Sequence, residues 1–505
     1  MVKFLKKHAF LLLCFLAAAM YLLFSSKSSP MYPMNDWVDV NCFYTMGKSL
    51  LAGLVPYRDL YEQKGPVLYF VYALIALFSD GSFFGVWLLE VVTYGLFLYY
   101  SGKIMELYLG EGMLVWFLTP ILGGLIPVTA AFAHGASVEE MCLFMSAYGL
   151  YVALRAMKED RVLSFREAFT CGIWAAILLW IKYTMLGLYL GLAIFIIIWY
   201  LGWGHGFKAL WKTVGAFFAG IGVITAVVFL YFAVTGALDD LFRVYFYNNI
   251  FLYAKEPEQS RLMSIWTCLK KTLKLNKTYT LLLIPGAVWA AVRAFRDVRP
   301  LLLLALCFGG LALGTYWGGW GISYYGLVFA VFALFGLLAA GELIRLLKGQ
   351  RLVSLITQDS RFIGAIWAAV LIVAMSIFCL KEGRNTYLMR YEKEDLPQYR
   401  FAEIINETED ATLLNLGFLD GGFYFAADVV PHSYFFCILN VQAPDMWQTM
   451  YRQVNEGLTD YVVTRDRELG SYRLDPSLYE CVAQSELYFE GKTRIYYLYR
   501  LKTLE

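Results

Sequence analysis

Charge is scarce in this chain of 505 residues: Asp, Glu, Lys and Arg together make up 16%. Hydrophobic residues make up 60% and mean hydropathy is +0.57, where a soluble domain carries about 45–50% apolar residues. Histidine is rarer still, with four dispersed residues (His8, His134, His205, His432). The nine cysteines are scattered, mostly inside apolar runs, and no C-x-x-C spacing occurs. Neither a disulfide framework nor a zinc site is therefore readable. A net charge of +2 gives no footing for a nucleic-acid partner. Low-complexity tracts and short repeats are missing. The apolar segments run continuously instead of alternating with polar residues, which excludes a transmembrane β-barrel.

What is present is a series of apolar blocks of roughly 15–22 residues, the length that crosses a hydrocarbon core of about 30 Å. The expected fold class is an all-α polytopic membrane protein. The opening MVKFLKKHAFLLLCFLAAAMYLLF has a basic flank and an apolar run. A signal peptide is the rival reading. The run is longer than an ordinary h-region and no A-x-A site follows, so a retained first span from about His8 to Phe24 is expected. Lys3, Lys6 and Lys7 then hold the N-terminus inside. Further spans are expected at about 83–100, 113–131, 140–156, 167–181, 184–201, 212–235, 278–293, 300–315, 324–343 and 362–380, about eleven in all. Counting 66–79 as a helix that dips and returns puts Arg155, Lys158, Arg161 and Arg166 inside, as well as Arg345, Lys348 and Arg351, as the positive-inside rule requires. The organisation is a membrane module over 1–380, with a first outside loop at 25–65 and a long one at 236–277, then a small outside α/β domain over 381–505. In that domain ATLLNLGF, DYVVTRDR and TRIYYLYRL read as strands.

Charge concentrates where it is least expected, in NDWVDVNCFYTMGKSLLAGLVPYRDLYEQKGP, residues 35–66. Val40, Phe43, Gly47, Leu50, Leu51 and Leu54 recur at helical spacing and predict an amphipathic surface helix ended by Gly53 and Pro56. A carboxylate within reach of an acceptor hydroxyl or amine can act as general base, and Asp36 and Asp39 are candidates. Asp36 as N-cap, with Asp39 three positions on, is the structural alternative. It weighs more on Asp36, leaving Asp39 as the preferred base. Arg58 and Lys64 can face a phosphate, one as a fork and the other as a point charge, against the alternative of interfacial snorkelling. Glu139 and Glu140, in HGASVEE, begin a span, where acids also suit the helix dipole; the sequence does not separate them. Lys182 sits at a short break in LLWIKYTMLG and is a further counter-ion for phosphate. Glu342 falls at an inside helix end, and Glu90 lies within a span with no evident role.

Taken as a set, these pieces resemble a family. DVNCFYTMGKSLLAGLVPYRDLYEQKGPVLYFVYAL resembles the first-loop signature of bacterial membrane glycosyltransferases of the GT-C superfold, in the branch related to protein O-mannosyltransferases and lipid A aminoarabinose transferases. GASVEEMCLF, IKYT and VYFYNNIFLY resemble the second-loop acidic motif, the basic break between middle helices, and a segment after the long mid-chain loop. The resemblance covers roughly residues 1–345. It implies transfer of a sugar from a polyprenyl-phosphate carrier to a lipid, glycan or protein acceptor at the outer face of the cell membrane. Asp39 matches the first-loop base, Lys64 and Lys182 match positions associated with the donor phosphate, and Glu139 or Glu140 matches the second-loop acid, which with Asp36 would position the acceptor. Some relatives have a second acid where this chain has Val40, and others a histidine where it has Ser323, so no metal and no other cofactor is assigned. The rival functions are a transporter or flippase of lipid-linked glycans, which would carry ionisable groups near the bilayer midplane, and a non-catalytic envelope-assembly protein.

Overall fold

The computed structural model of the chain describes residues 2–253, 260–347, 361–472, 474–489 and 491–502. Lys348 and Arg351 lie outside them, as does part of the 236–277 loop. Helices fall where the spans were expected. Among the described residues, seven helical stretches are long and apolar enough to cross a membrane: His8–Ser25, Phe84–Leu109, Phe165–Gly202, Gly206–Val234, Arg299–Tyr316, Ser323–Leu346 and Ile363–Glu382. Pro66–Ala76 and Met113–Leu125 are apolar but shorter. The first falls on the segment expected at 66–79 and ends three residues earlier. The chain is a multi-pass membrane protein. Phe218, Val223, Val227 and Leu230 stand exposed along one helix, a surface that water would penalise and lipid does not.

The chain divides into two compact units. The first comprises Met1–Ser29, Trp87–Val227 and Lys255–Thr386. Its helices approach through glycine. Gly187 and Gly191 on one helix face Gly310 and Gly314 on another, each pair four apart. A Cβ added at Gly187 would come within 2.1 Å of the Gly310 carbonyl oxygen. Lipid tails are as apolar as leucine, so close backbone packing replaces the hydrophobic drive between membrane helices. The Phe165–Lys182 helix opens on a capping box, Ser164 with Glu167, and Arg161 closes a bidentate ion pair on Glu167 at 2.8 and 2.9 Å.

The second unit comprises Pro30–Val86, Val228–Ala254 and Tyr387–Glu505. Here the Val38–Leu51 helix lies on Pro66–Ala76, and a Cβ at Gly47 would stand 2.7 Å from the Tyr72 and Ala73 backbone. Its sheet contains Leu413–Leu416 (β1), Tyr461–Arg465 (β2), Tyr479–Phe489 (β3) and Lys492–Leu501 (β4), in the order β1-β2-β4-β3. β1 and β2 are parallel, joined by a crossover that holds the Phe423–Ala427 and Met446–Asn455 helices, as parallel pairing requires. β2, β4 and β3 are antiparallel neighbours. The sequence reading anticipated three of these strands and missed β3.

Candidate functional site

In the second unit the first loop brings Asp39 and Lys64 together, while Asp36 and Arg58 face other partners. Asp36, for which an N-cap is the alternative role, is not the residue at the N-cap position. The helix starts at Val38 with Trp37 as N-cap and no side-chain cap. Just before the helix, Asn35 Oδ1 accepts from the Trp37 N–H at 3.0 Å, and from within the first turns Asn41 Nδ2 donates to the Asn35 and Trp37 carbonyls at 2.9 Å each. Asp36 is buried, close enough to Tyr496 for its charge to act on that phenol, which burial holds up at about 12, with Arg465 opposing and Asp36 adding to the rise. Asp39 occupies the first helical turn, almost wholly buried, where the N-terminal dipole favours a carboxylate.

Lys64 brings its Nζ to 4.0 Å from Asp39 Oδ2 and 5.5 Å from the centre of the Phe43 ring. Its backbone is fastened on every side. The Lys64 N–H donates to Glu62 Oε2 at 2.7 Å, and the Lys64 carbonyl accepts from Tyr57 at 2.5 Å and from Tyr69 at 2.9 Å. Tyr69 also meets the Glu62 carboxylate. Burial pushes the Tyr57 phenol well up, keeping it a donor. Tyr57 adopts φ 71, left-handed for a non-glycine residue. The turn is clamped further by Asn249 on the Gln63 carbonyl at 2.8 Å, Gln63 on the Val441 N–H at 2.8 Å, and Tyr61 N–H on the Tyr434 carbonyl at 2.9 Å. Arg58 turns its fork to Asp59, at 2.9 and 2.8 Å, and its remaining Nη to the Thr235 carbonyl at 2.8 Å.

The first unit holds the other candidates and separates the two adjacent acids. Lys182 Nζ lies 2.5 Å from Glu139 Oε1 and 3.9 Å above the Tyr325 ring, with Tyr324 at 5.7 Å. Lys182 is extended (φ −159, ψ 90) where its helix gives way to the Tyr183–Leu186 turn. Ser137 caps the acidic turn, accepting from the Glu140 N–H at 3.1 Å. Glu140 points elsewhere, fully buried beside Glu90. Glu90, without a role in the sequence, accepts from Ser26 Oγ at 2.7 Å and from the Ala136 N–H at 2.6 Å. It thereby pins the Ala133–Ala136 turn, where three of four residues (Ala133, Gly135, Ala136) have positive φ.

Sequence reasoning also passed over Glu62, Tyr57, Tyr69 and Asp420. Glu62 had a signal: an acid two residues before a constrained N–H can bond that N–H. Asp420, in GFLDGGF, accepts from Thr45 Oγ1 at 2.6 Å and the Gly422 N–H at 2.8 Å, and Asn415 Nδ2 lies at 3.3 Å. Burial raises it to about 6, against those three hydrogen bonds. Among the described residues no group of three or more His, Cys, Asp or Glu comes together to hold a metal.

No known family profile matches the chain, and no curated protein is detectably similar to it in sequence. Solved structures are similar in fold. ArnT from Cupriavidus metallidurans in the apo state has a TM-score of 0.61 at 14% identity, over 99% of this chain and 98% of that one. The same protein bound to undecaprenyl phosphate gives 0.59 at 15% identity, over 97% and 96%. The archaeal oligosaccharyltransferase AglB from Archaeoglobus fulgidus, in complex with an inhibitory peptide and a dolichol-phosphate, aligns at 0.48 and 11% identity, over 91% of this chain and 70% of that one. The chain shares its fold with ArnT over nearly the whole length of both.

Proposed function

We propose that this protein transfers a sugar from a polyprenyl-phosphate-linked donor to a cell-envelope acceptor, at the outer face of the cytoplasmic membrane, with the N-terminus inside and the C-terminal domain outside. The pairing of Asp39 with Lys64 carries the reading. A base and a cation stand 4.0 Å apart in a rigid loop beside a membrane helix, in a chain that shares its fold with a protein solved with undecaprenyl phosphate. At 4.0 Å the ion pair is at the limit of contact, which sets a cation suited to a phosphate beside a carboxylate suited to a proton.

In the proposed reaction the acceptor oxygen or nitrogen attacks the anomeric carbon as Asp39 removes its proton. The carbon–oxygen bond to the phosphate breaks, and the polyprenyl phosphate leaves with the electron pair. Lys64 meets the developing charge, where a preorganised cation is most effective. Displacement in one step inverts the anomeric centre. Asp36 is assigned to the acceptor and Arg58 to the phosphate-facing set. In the other unit Lys182 is assigned to anionic ligand and Glu139 to holding it; Glu140 is a candidate for acceptor positioning. The test is reconstitution of the purified protein with a panel of undecaprenyl-phosphate sugars, comparing wild type with Asp39→Asn. Near wild-type turnover by Asp39→Asn removes Asp39 as the base. Movement of labelled lipid across the vesicle without transfer, unaffected by Asp39→Asn, would make the protein a flippase.

A further inference from the structure

We propose that Cys42 and Cys437 form a disulfide that ties the Asp39-bearing helix to the C-terminal domain. The two Sγ atoms stand 3.9 Å apart, both buried, 395 positions apart in sequence and within the same unit. Cys42 follows Asp39 by three positions on the Val38–Leu51 helix. The gap is roughly 2 Å longer than a sulfur–sulfur bond, within the sweep of χ1 rotation at the two residues. The surrounding contacts already draw these segments together. Thr45, one turn after Cys42, donates to Asp420, and the Phe436 carbonyl next to Cys437 accepts from Tyr424 at 2.8 Å and from the Asn415 N–H at 3.3 Å. Nothing in the spacing of nine scattered cysteines joins positions so distant.

The compartment decides the chemistry, and here the inference rests on the sidedness proposed above. Thiols facing the outside of the cytoplasmic membrane meet disulfide-class oxidants. In the step, a protein or small-molecule disulfide accepts two electrons and two protons from the Cys42 and Cys437 thiols. The new sulfur–sulfur bond forms and the oxidant leaves as its dithiol. Burial pushes both thiols up. Few thiolates are therefore available once the fold closes, so the bond forms during folding and is afterwards shielded from exchange. Among the other cysteines, Cys14, Cys142, Cys171, Cys268, Cys307 and Cys379 are buried in the first unit, and Cys481 is exposed on β3.

Cys481 supplies the control. Intact cells expressing the full chain are treated with a membrane-impermeant maleimide, then denatured, alkylated with a second reagent without reductant, and analysed by peptide mass spectrometry. The expected result is maleimide on Cys481 and a linked peptide pair containing Cys42 and Cys437, which separates into two alkylated peptides after reduction. Both thiols alkylated without reductant, with Cys481 labelled from outside, overturns the disulfide and leaves the sidedness standing. Cys481 protected in intact cells, with Cys42 and Cys437 free, overturns both. In purified protein, reductant is expected to lower the unfolding midpoint of wild type and leave that of Cys437→Ser unmoved; equal shifts in the two also count against the bond.

Discussion

The ammonium of Lys182 lies 2.5 Å from Glu139 and covers the face of Tyr325 at 3.9 Å, so one cation is held by a carboxylate and a π-system together. Both partners are almost fully enclosed, with side chains 13% and 2% exposed. Removing one of a buried pair strands the other charge, at a cost of about 3–5 kcal/mol. Glu139→Gln and Lys182→Met are each expected to destabilise by that amount. The double variant is expected to lose much less than the sum. Unfolding of the four proteins in detergent closes the cycle; additive losses would mean that the two charges are independently solvated.

Glu90 makes a second, separable prediction. Its two oxygens take one side-chain and one backbone donor, Ser26 and Ala136. Gln can keep both contacts, accepting from the Ala136 N–H and donating to the Ser26 hydroxyl. Ala leaves a buried N–H without that acceptor, at about 1–3 kcal/mol. Glu90→Gln is therefore expected to stay close to wild type in thermal unfolding while Glu90→Ala falls. If both fall equally, the negative charge is needed and the hydrogen-bond account fails.

These two acids show where the sequence was legible and where it was not. Helices were readable because membrane spans impose a long, continuous apolar signal. The small sheet was readable in β1, β2 and β4, where branched and aromatic residues cluster. β3 escaped because a register shift between Cys481 and Ala483 breaks the alternation that would have announced it. Asp39 and Lys64 are 25 positions apart and could be grouped by motif. Glu139 and Glu140 could not be told apart, since adjacent residues on a helix differ only in direction, and direction depends on what surrounds it. One faces Lys182 and the other Glu90, residues 43 and 50 positions away from them. For Asp36 the spacing to Asp39 offers a cap as the alternative to a functional acid, yet the helix begins after Trp37, a boundary that spacing does not reveal.

Glycine packing in the first unit gives a prediction with an internal control. A Cβ at Gly310 would approach the Gly187 carbonyl oxygen to 2.2 Å, whereas one at Gly309 meets nothing within 4 Å. Gly310→Ala must push two backbones apart, and overpacking of this kind costs about 1–3 kcal/mol. Gly309→Ala has only the helix propensity to gain, up to about 1 kcal/mol. The unfolding midpoint is expected to drop for the first and hold or rise for the second. A shared drop would show that backbone flexibility, not contact, is what both glycines supply.

Asp420 sets a pH dependence whose sign follows from its burial. Its carboxyl is raised from 3.8 to about 6 by desolvation, despite the hydrogen bonds from Thr45, Gly422 and Asn415. Between those two values the folded protein holds a proton that the unfolded chain releases, so stability falls as pH rises through this window. The destabilisation is absent below pH 3.8 and complete above about pH 6, where the shift corresponds to about 3 kcal/mol. Asp420→Asn has no charge to desolvate and can still accept from the Gly422 N–H, with its amide turned to the Thr45 hydroxyl. Unfolding midpoints measured from pH 7 down to pH 5 should therefore rise for wild type relative to Asp420→Asn, the gap narrowing toward pH 5 and closing only as the pH approaches 3.8. A wild-type midpoint that falls over this range relative to the variant would mean that the ionised carboxylate is the form the fold prefers, with its three donors outweighing its burial.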